Sequence, residues 1–141
     1  MMGDRPLTLA RLYFGIAGFQ ALHSIEEYLT GLYLWMPLVS GRLHERITWM
    51  PVFDMGERIF AAANMAIIAA LFALSPFVFL SKRWALRLAY AVAVIEILNG
   101  IGHLVGAIAA GGYFPGVLAG IGLAVFGFVF LWAWKRQKEV L

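Results

Sequence analysis

Apolar residues run almost without interruption through four stretches of this chain, at about residues 7–36, 56–80, 84–109 and 117–134. A helix crosses a bilayer's hydrocarbon core with about 20 apolar residues, so each stretch is long enough for one crossing. The breaks between them read as connections. Segment 37–55 holds Arg42, His44, Glu45, Arg46 and Asp54 and is expected to be wet. Ser81-Lys82-Arg83 is a short basic turn. Residues 110–116 carry no charge and are punctuated by glycine and proline, the marks of a turn. The pattern predicts one all-α domain over 1–141, an integral membrane four-helix bundle.

Composition agrees. The chain has 141 residues, 62% hydrophobic and 13% charged, against about 45–50% and about 25% in soluble domains. Too few polar side chains remain to cover a soluble monomer, and too much apolar mass is present for disorder. There is no room for a separate soluble domain. Cysteine is absent, which excludes disulfides, thiolate metal sites and a cysteine nucleophile. A net charge of +3 gives no reason to expect nucleic acid. The basic residues have a topological reading instead. Arg5, Arg11, Lys82, Arg83, Arg87, Lys135, Arg136 and Lys138 fall on one side of the four crossings, and only Arg42, Arg46 and Arg58 on the other. The positive-inside rule then places both termini in the cytoplasm of an inner or plasma membrane. Trp35, Trp49, Trp84, Trp132 and Trp134 all fall near the expected interfaces. The first apolar stretch is interrupted by His23, Glu26 and Glu27 and lacks a small-residue cleavage site after it, so it is expected to be structure and not a signal peptide.

Ionisable residues inside crossings are costly and persist when paired, hydrated or metal-bound. Three crossings carry such residues as stripes. In the first, at about 100° per residue, Glu27 lies about 40° to one side of His23 and Glu26 about 60° to the other, with Gln20 and Thr30 a turn away on the same face. In the third, Glu96 and His103 are seven apart with Asn99 between them. The second has Glu57 and Asn64, also seven apart. Counting along the helices brings these stripes to the noncytoplasmic half of the membrane, with Glu57 at its mouth. Imidazoles and carboxylates together are ligand chemistry for iron or zinc. The candidate metal ligands are His23, Glu26, Glu27, Glu96 and His103, for one or two divalent ions. Glu26 and Glu27 are the candidate catalytic bases, and Glu57, Asn64, Asn99 and Tyr113 possible additions. Neither order of the zinc-protease helix motif, His-Glu-x-x-His or His-x-x-Glu-His, is present. Gly102/Gly106 and Gly116/Gly120 are small-residue pairs that suit close packing within the bundle or a homodimer face.

The motif His23-Ser24-Ile25-Glu26-Glu27, the later His103, and Tyr113-Phe114-Pro115-Gly116 occur in order at helix ends. In these features the chain resembles the HXXEE family of small integral membrane proteins, and the likeness spans nearly its whole length. The resemblance implies an enzyme-like site and brings no assigned reaction. The residues themselves suggest a metal-dependent membrane enzyme acting on a lipid-like or other apolar substrate that enters between helices. Iron would serve hydroxylation or desaturation, and zinc hydrolysis. Two other readings use the same residues: a metal-free acid–base isomerase employing Glu27 and His103, and a small proton or metal transporter or ion-binding membrane subunit.

Overall fold

The computed structural model describes residues 4–138. Its elements are all helices: α1 (Asp4–Leu29), α2 (Leu32–Arg46), α3 (Gly56–Phe79), α4 (Arg83–Ala110) and α5 (Val117–Lys138). Of these, α3, α4 and α5 are long and apolar enough to cross a membrane. Many of their large apolar side chains face outward, among them Ile59, Met65, Leu98, Ile108, Leu118 and Phe128. Such a surface suits lipid and not water.

The expected first crossing at 7–36 is corrected. The helix stops at Leu29, and a second one starts at Leu32. Gly31 adopts a left-handed conformation, φ 73°, which ends a helix at little cost because glycine has no Cβ. Thr30 donates its hydroxyl back to the Glu26 carbonyl at 2.6 Å. Much of the expected wet segment is therefore helix α2, with Pro37 inside it. The loop after α2 folds back onto it. The Phe53 amide donates to Ser40 Oγ at 2.9 Å, and His44 Nδ1 lies 2.6 Å from the Met50 carbonyl oxygen. The two other connections are as short as the sequence implies. Leu80, Ser81, which is in a left-handed conformation, and Lys82 join α3 to α4, while 111–116 join α4 to α5.

Helix α1 touches all four of the others, and α4 packs most extensively on α5. The buried positions of α1 follow one stripe: Leu9, Ala10, Tyr13, Ile16 and Ala17, then Gln20, His23, Ser24 and Glu27. The stripe changes from apolar to polar halfway along. Helix α4 repeats the change, with Ala85, Ala89 and Ala93 giving way to Glu96, Gly100 and His103. One half of the bundle is thus a dry core, closed by Leu123, Phe130 and Val78. The other half presents its polar side chains inward. Two hydrogen bonds tie α1 to α3 across both halves, from Tyr13 to the Leu71 carbonyl at 3.0 Å and from Ser24 to Asn64 Oδ1 at 2.6 Å.

Glycines set the spacing of α4 and α5. A Cβ on Gly100 would stand 2.1 Å from the Gly120 carbonyl oxygen and 3.0 Å from Ala124 Cβ. Gly102, two residues on, meets nothing within 4 Å. Gly100→Ala should therefore lower the unfolding midpoint in detergent, by the equivalent of about 1–3 kcal/mol for overpacking. Gly102→Ala should leave it unchanged or raise it, since alanine favours a helix interior by about 0.5–1 kcal/mol.

Candidate metal centre

Where the two polar stripes meet, the side chain of Glu27 lies between two imidazoles. Its Oε1 is 3.0 Å from His23 Nε2, four residues back on the same helix, and 3.1 Å from His103 Nε2 on α4. The rings stand edge to face, centroids 4.5 Å apart. His23 is 0% exposed, and Glu27 and His103 are each 7% exposed. One ligand atom from each residue falls within 4.8 Å of both others, a grouping able to hold a metal ion.

The protons can be placed in part. His103 Nδ1 lies 2.6 Å from the Pro115 carbonyl oxygen. A carbonyl only accepts, so Nδ1 carries the hydrogen and, in a neutral ring, Nε2 carries a lone pair. That lone pair faces a carboxylate oxygen. Two acceptors at this distance repel unless a proton or a cation lies among them. His23 adds to the case. Its Nε2 is close to Glu27 but makes no directed hydrogen bond, and its Nδ1 also lacks a partner, although both atoms are buried. Donor atoms around one metal at bonds of about 2.0–2.1 Å stand roughly 2.9–3.4 Å apart, and the two spacings from Glu27 Oε1, 3.0 and 3.1 Å, fall in that range.

Two glycines, one just before α5 and one in its first turn, make room for the cluster. Gly116 has φ 85°, and a Cβ there would lie 2.7 Å from His23 Cε1, 2.8 Å from His103 Cε1 and 2.9 Å from Glu27 Cγ. Gly120, one turn on, would place its Cβ 3.4–3.5 Å from the same two histidines.

Glu26 points elsewhere. Its carboxylate accepts hydrogen bonds from the Leu118 amide at 3.1 Å, the Ala119 amide at 2.7 Å and the Tyr113 hydroxyl at 2.7 Å. It is a cap supplied by α1 to the first turn of α5, whose free amides otherwise lack acceptors. Burial, and then the bond to Glu26, push the Tyr113 phenol above its ordinary pKa. The remaining candidates sit around the cluster. Glu96 is buried and is approached by Asn99 Nδ2 at 3.4 Å, outside the three-residue grouping. Asn64 accepts from Ser24 and donates to the Phe60 carbonyl. Glu57 accepts from the exposed Tyr28 hydroxyl at 2.6 Å. Of the five candidate ligands, then, His23, Glu27 and His103 come together, and Glu26 and Glu96 do not join them.

Glu27 and His103 form part of the wall of a cleft of about 330 Å³ bordered by α1, α2, α3 and α4. Gln20, Asn64 and Asn99 give it polar points, and Leu32, Met36, Met55, Phe60 and Ile67 make most of the rest apolar. Two contributors are not among the candidate site residues. Pro115 fixes His103 through a main-chain atom, and Gly116 matters for the side chain it lacks. The Tyr-Phe-Pro-Gly order was the only signal of either.

Over residues 14–133 the chain matches the family described as a protein of unknown function with HXXEE motif, and it belongs to that family. Neither the curated proteins nor the solved structures contain a match.

The cap and the cluster make separable predictions. Glu26→Ala should cost about 1–2 kcal/mol of stability as a lost cap, and Tyr113→Phe about 1 kcal/mol. Their double variant should cost less than the two together, because the partners share one bond; unfolding midpoints in detergent measure this. Gly116→Ala should be tolerated worse than Tyr113→Phe, since it strains the backbone and displaces both imidazoles.

Proposed function

We propose that this protein is an integral membrane, metal-dependent enzyme acting on a lipid-like or other apolar substrate, with His23, Glu27 and His103 as the protein ligands. The observation that carries this reading is the convergence of two imidazole Nε2 atoms and one carboxylate oxygen, one imidazole held in its ligating tautomer by the Pro115 carbonyl. Two histidines and a carboxylate leave coordination positions open. This donor set serves both zinc hydrolases and non-haem iron oxygenases. A divalent ion held by His23, Glu27 and His103 would supply Lewis acidity there.

The chain's own residues do the rest. Pro115 orients His103, and enclosure keeps His23 away from bulk water. Glu26 holds the start of α5, and through it Pro115 and Gly116, against the cluster. The cleft beside Glu27 and His103 accepts an apolar chain along Met36, Phe60 and Ile67. Gln20, Asn64 and Asn99 meet a polar group on it. In this reading α1 is a fourth crossing beside α3, α4 and α5, with Phe14, Leu22 and Ile25 on its exposed face, and both termini are cytoplasmic.

Elemental analysis of protein purified in detergent tests the centre. Wild type should hold close to one equivalent of iron or zinc, and His23→Ala, His103→Ala and Glu27→Ala should each lose most of it. Glu96→Gln should keep it. Metal-free wild type, or full retention in the histidine variants, would favour an acid–base site built from Glu27 and His103. The absence of native cysteine makes the orientation testable as well. With both termini cytoplasmic, an impermeant thiol reagent added outside intact cells should label Gly112→Cys and spare Lys82→Cys.

A further inference from the structure

A second cavity, of about 590 Å³, lies at the opposite end of the α4–α5 pair and is lined by Arg87, Tyr90, Leu131, Trp134 and Lys135. It forms where the glycine and alanine contacts between the two helices end. Larger side chains take over there, with the Tyr90 and Trp134 rings 5.5 Å apart and inclined at 50°. Arg87 is one turn from the start of α4, and Lys135 is in the last turn of α5. The cavity therefore sits at the level where crossing helices leave the hydrocarbon. Lys82, Arg83 and Arg136 add positive charge at the same end, and Arg136 is stacked over Trp132 at 3.9 Å.

We propose that this cavity binds the headgroup phosphate of an anionic phospholipid. Two cations supplied by different helices suit a phosphate diester. Tyr and Trp are the side chains that settle at headgroup depth, and basic pockets between crossing helices are a physical route to anionic-lipid recognition. A lipid fits better than free phosphate because apolar side chains accompany the two cations. Leu131 is part of its lining, and the neighbouring Leu88 and Trp132 are exposed on the same two helices. The inference does not depend on the metal centre.

The test measures lipid retention by native mass spectrometry of protein released from nanodiscs of mixed phosphatidylglycerol and phosphatidylcholine. Wild type should retain phosphatidylglycerol preferentially. Arg87→Gln/Lys135→Gln should weaken that retention about thirtyfold, at the contribution expected of two interfacial cations. Lys82→Gln/Arg83→Gln removes the same charge outside the pocket and should keep the preference. The charge-conserving Arg87→Lys/Lys135→Arg variant should keep it too, which guards against a folding defect in the neutralised one. Absence of preference in wild type, equal loss in the Lys82/Arg83 variant, or displacement of the lipid by millimolar inorganic phosphate would each overturn the proposal.

Discussion

A carboxylate oxygen 3.0 and 3.1 Å from two buried imidazole nitrogens is an arrangement that cannot stand as three neutral or anionic acceptors. Inside a low-dielectric bundle the repulsion between lone pairs is poorly screened. Some positive charge must be shared among Glu27, His23 and His103, as a proton or as a metal ion. The Pro115 carbonyl removes one freedom by keeping a hydrogen on His103 Nδ1. Much of the surrounding structure serves this constraint. Helix α5 can come close enough to enclose the cluster because Gly116 and Gly120 carry no side chain. The loop that delivers Pro115 is steadied by Tyr113, Glu26 and the first amides of α5.

Two adjacent glutamates thus have different work, for a geometric reason. Successive helical residues point about 100° apart, so Glu27 faces α4 while Glu26 faces the start of α5. A helix N-terminus offers unpaired amides and a partial positive charge, a better environment for a carboxylate in a bundle than any apolar neighbour. The pair joins the cap and the centre through one peptide unit. A disturbance of α5 must therefore reach the histidines, and a disturbance of the histidines must press on Gly116.

Much of this was legible in the sequence, and the parts that were not have identifiable causes. The i,i+4 spacing of His23 and Glu27 placed them on one face, and counting residues put His103 at their level. The helix ends at 79–83 and 110–117 carry glycine, proline or basic residues that speak for themselves. The break at Gly31 was hidden, because Leu32 to Met36 is as apolar as what precedes it and a lone glycine is tolerated within a helix. Glu26 and Glu27 could not be told apart, since both lie within about 60° of His23 and only the position of α5 distinguishes them. Glu96 shares a face with His103 but is seven residues away, about 10 Å along the axis. Same face does not mean same depth.

Depth also explains why a cleft opens beside the centre and not below it. Towards the start of α1 the inward positions of α1 and α4 are leucine, tyrosine, isoleucine and alanine, and they belong to one buried apolar core. Past Gln20 and Glu96 the inward positions become polar: Glu27 meets His103 directly, while Ser24 and His103 Nδ1 find their other partners on α3 and in the turn before α5. Helix α3 meets α4 only sparsely. The cleft opens beside them, with Leu32 and Met36 of α2 in its wall. The early stop at Gly31 is what makes this possible. A straight continuation of α1 would carry Leu32 and Met36 past the bundle, whereas the left-handed turn brings both residues back over the opening. The interruption that the hydrophobic pattern conceals is therefore part of how the chain builds an apolar approach to a charged centre.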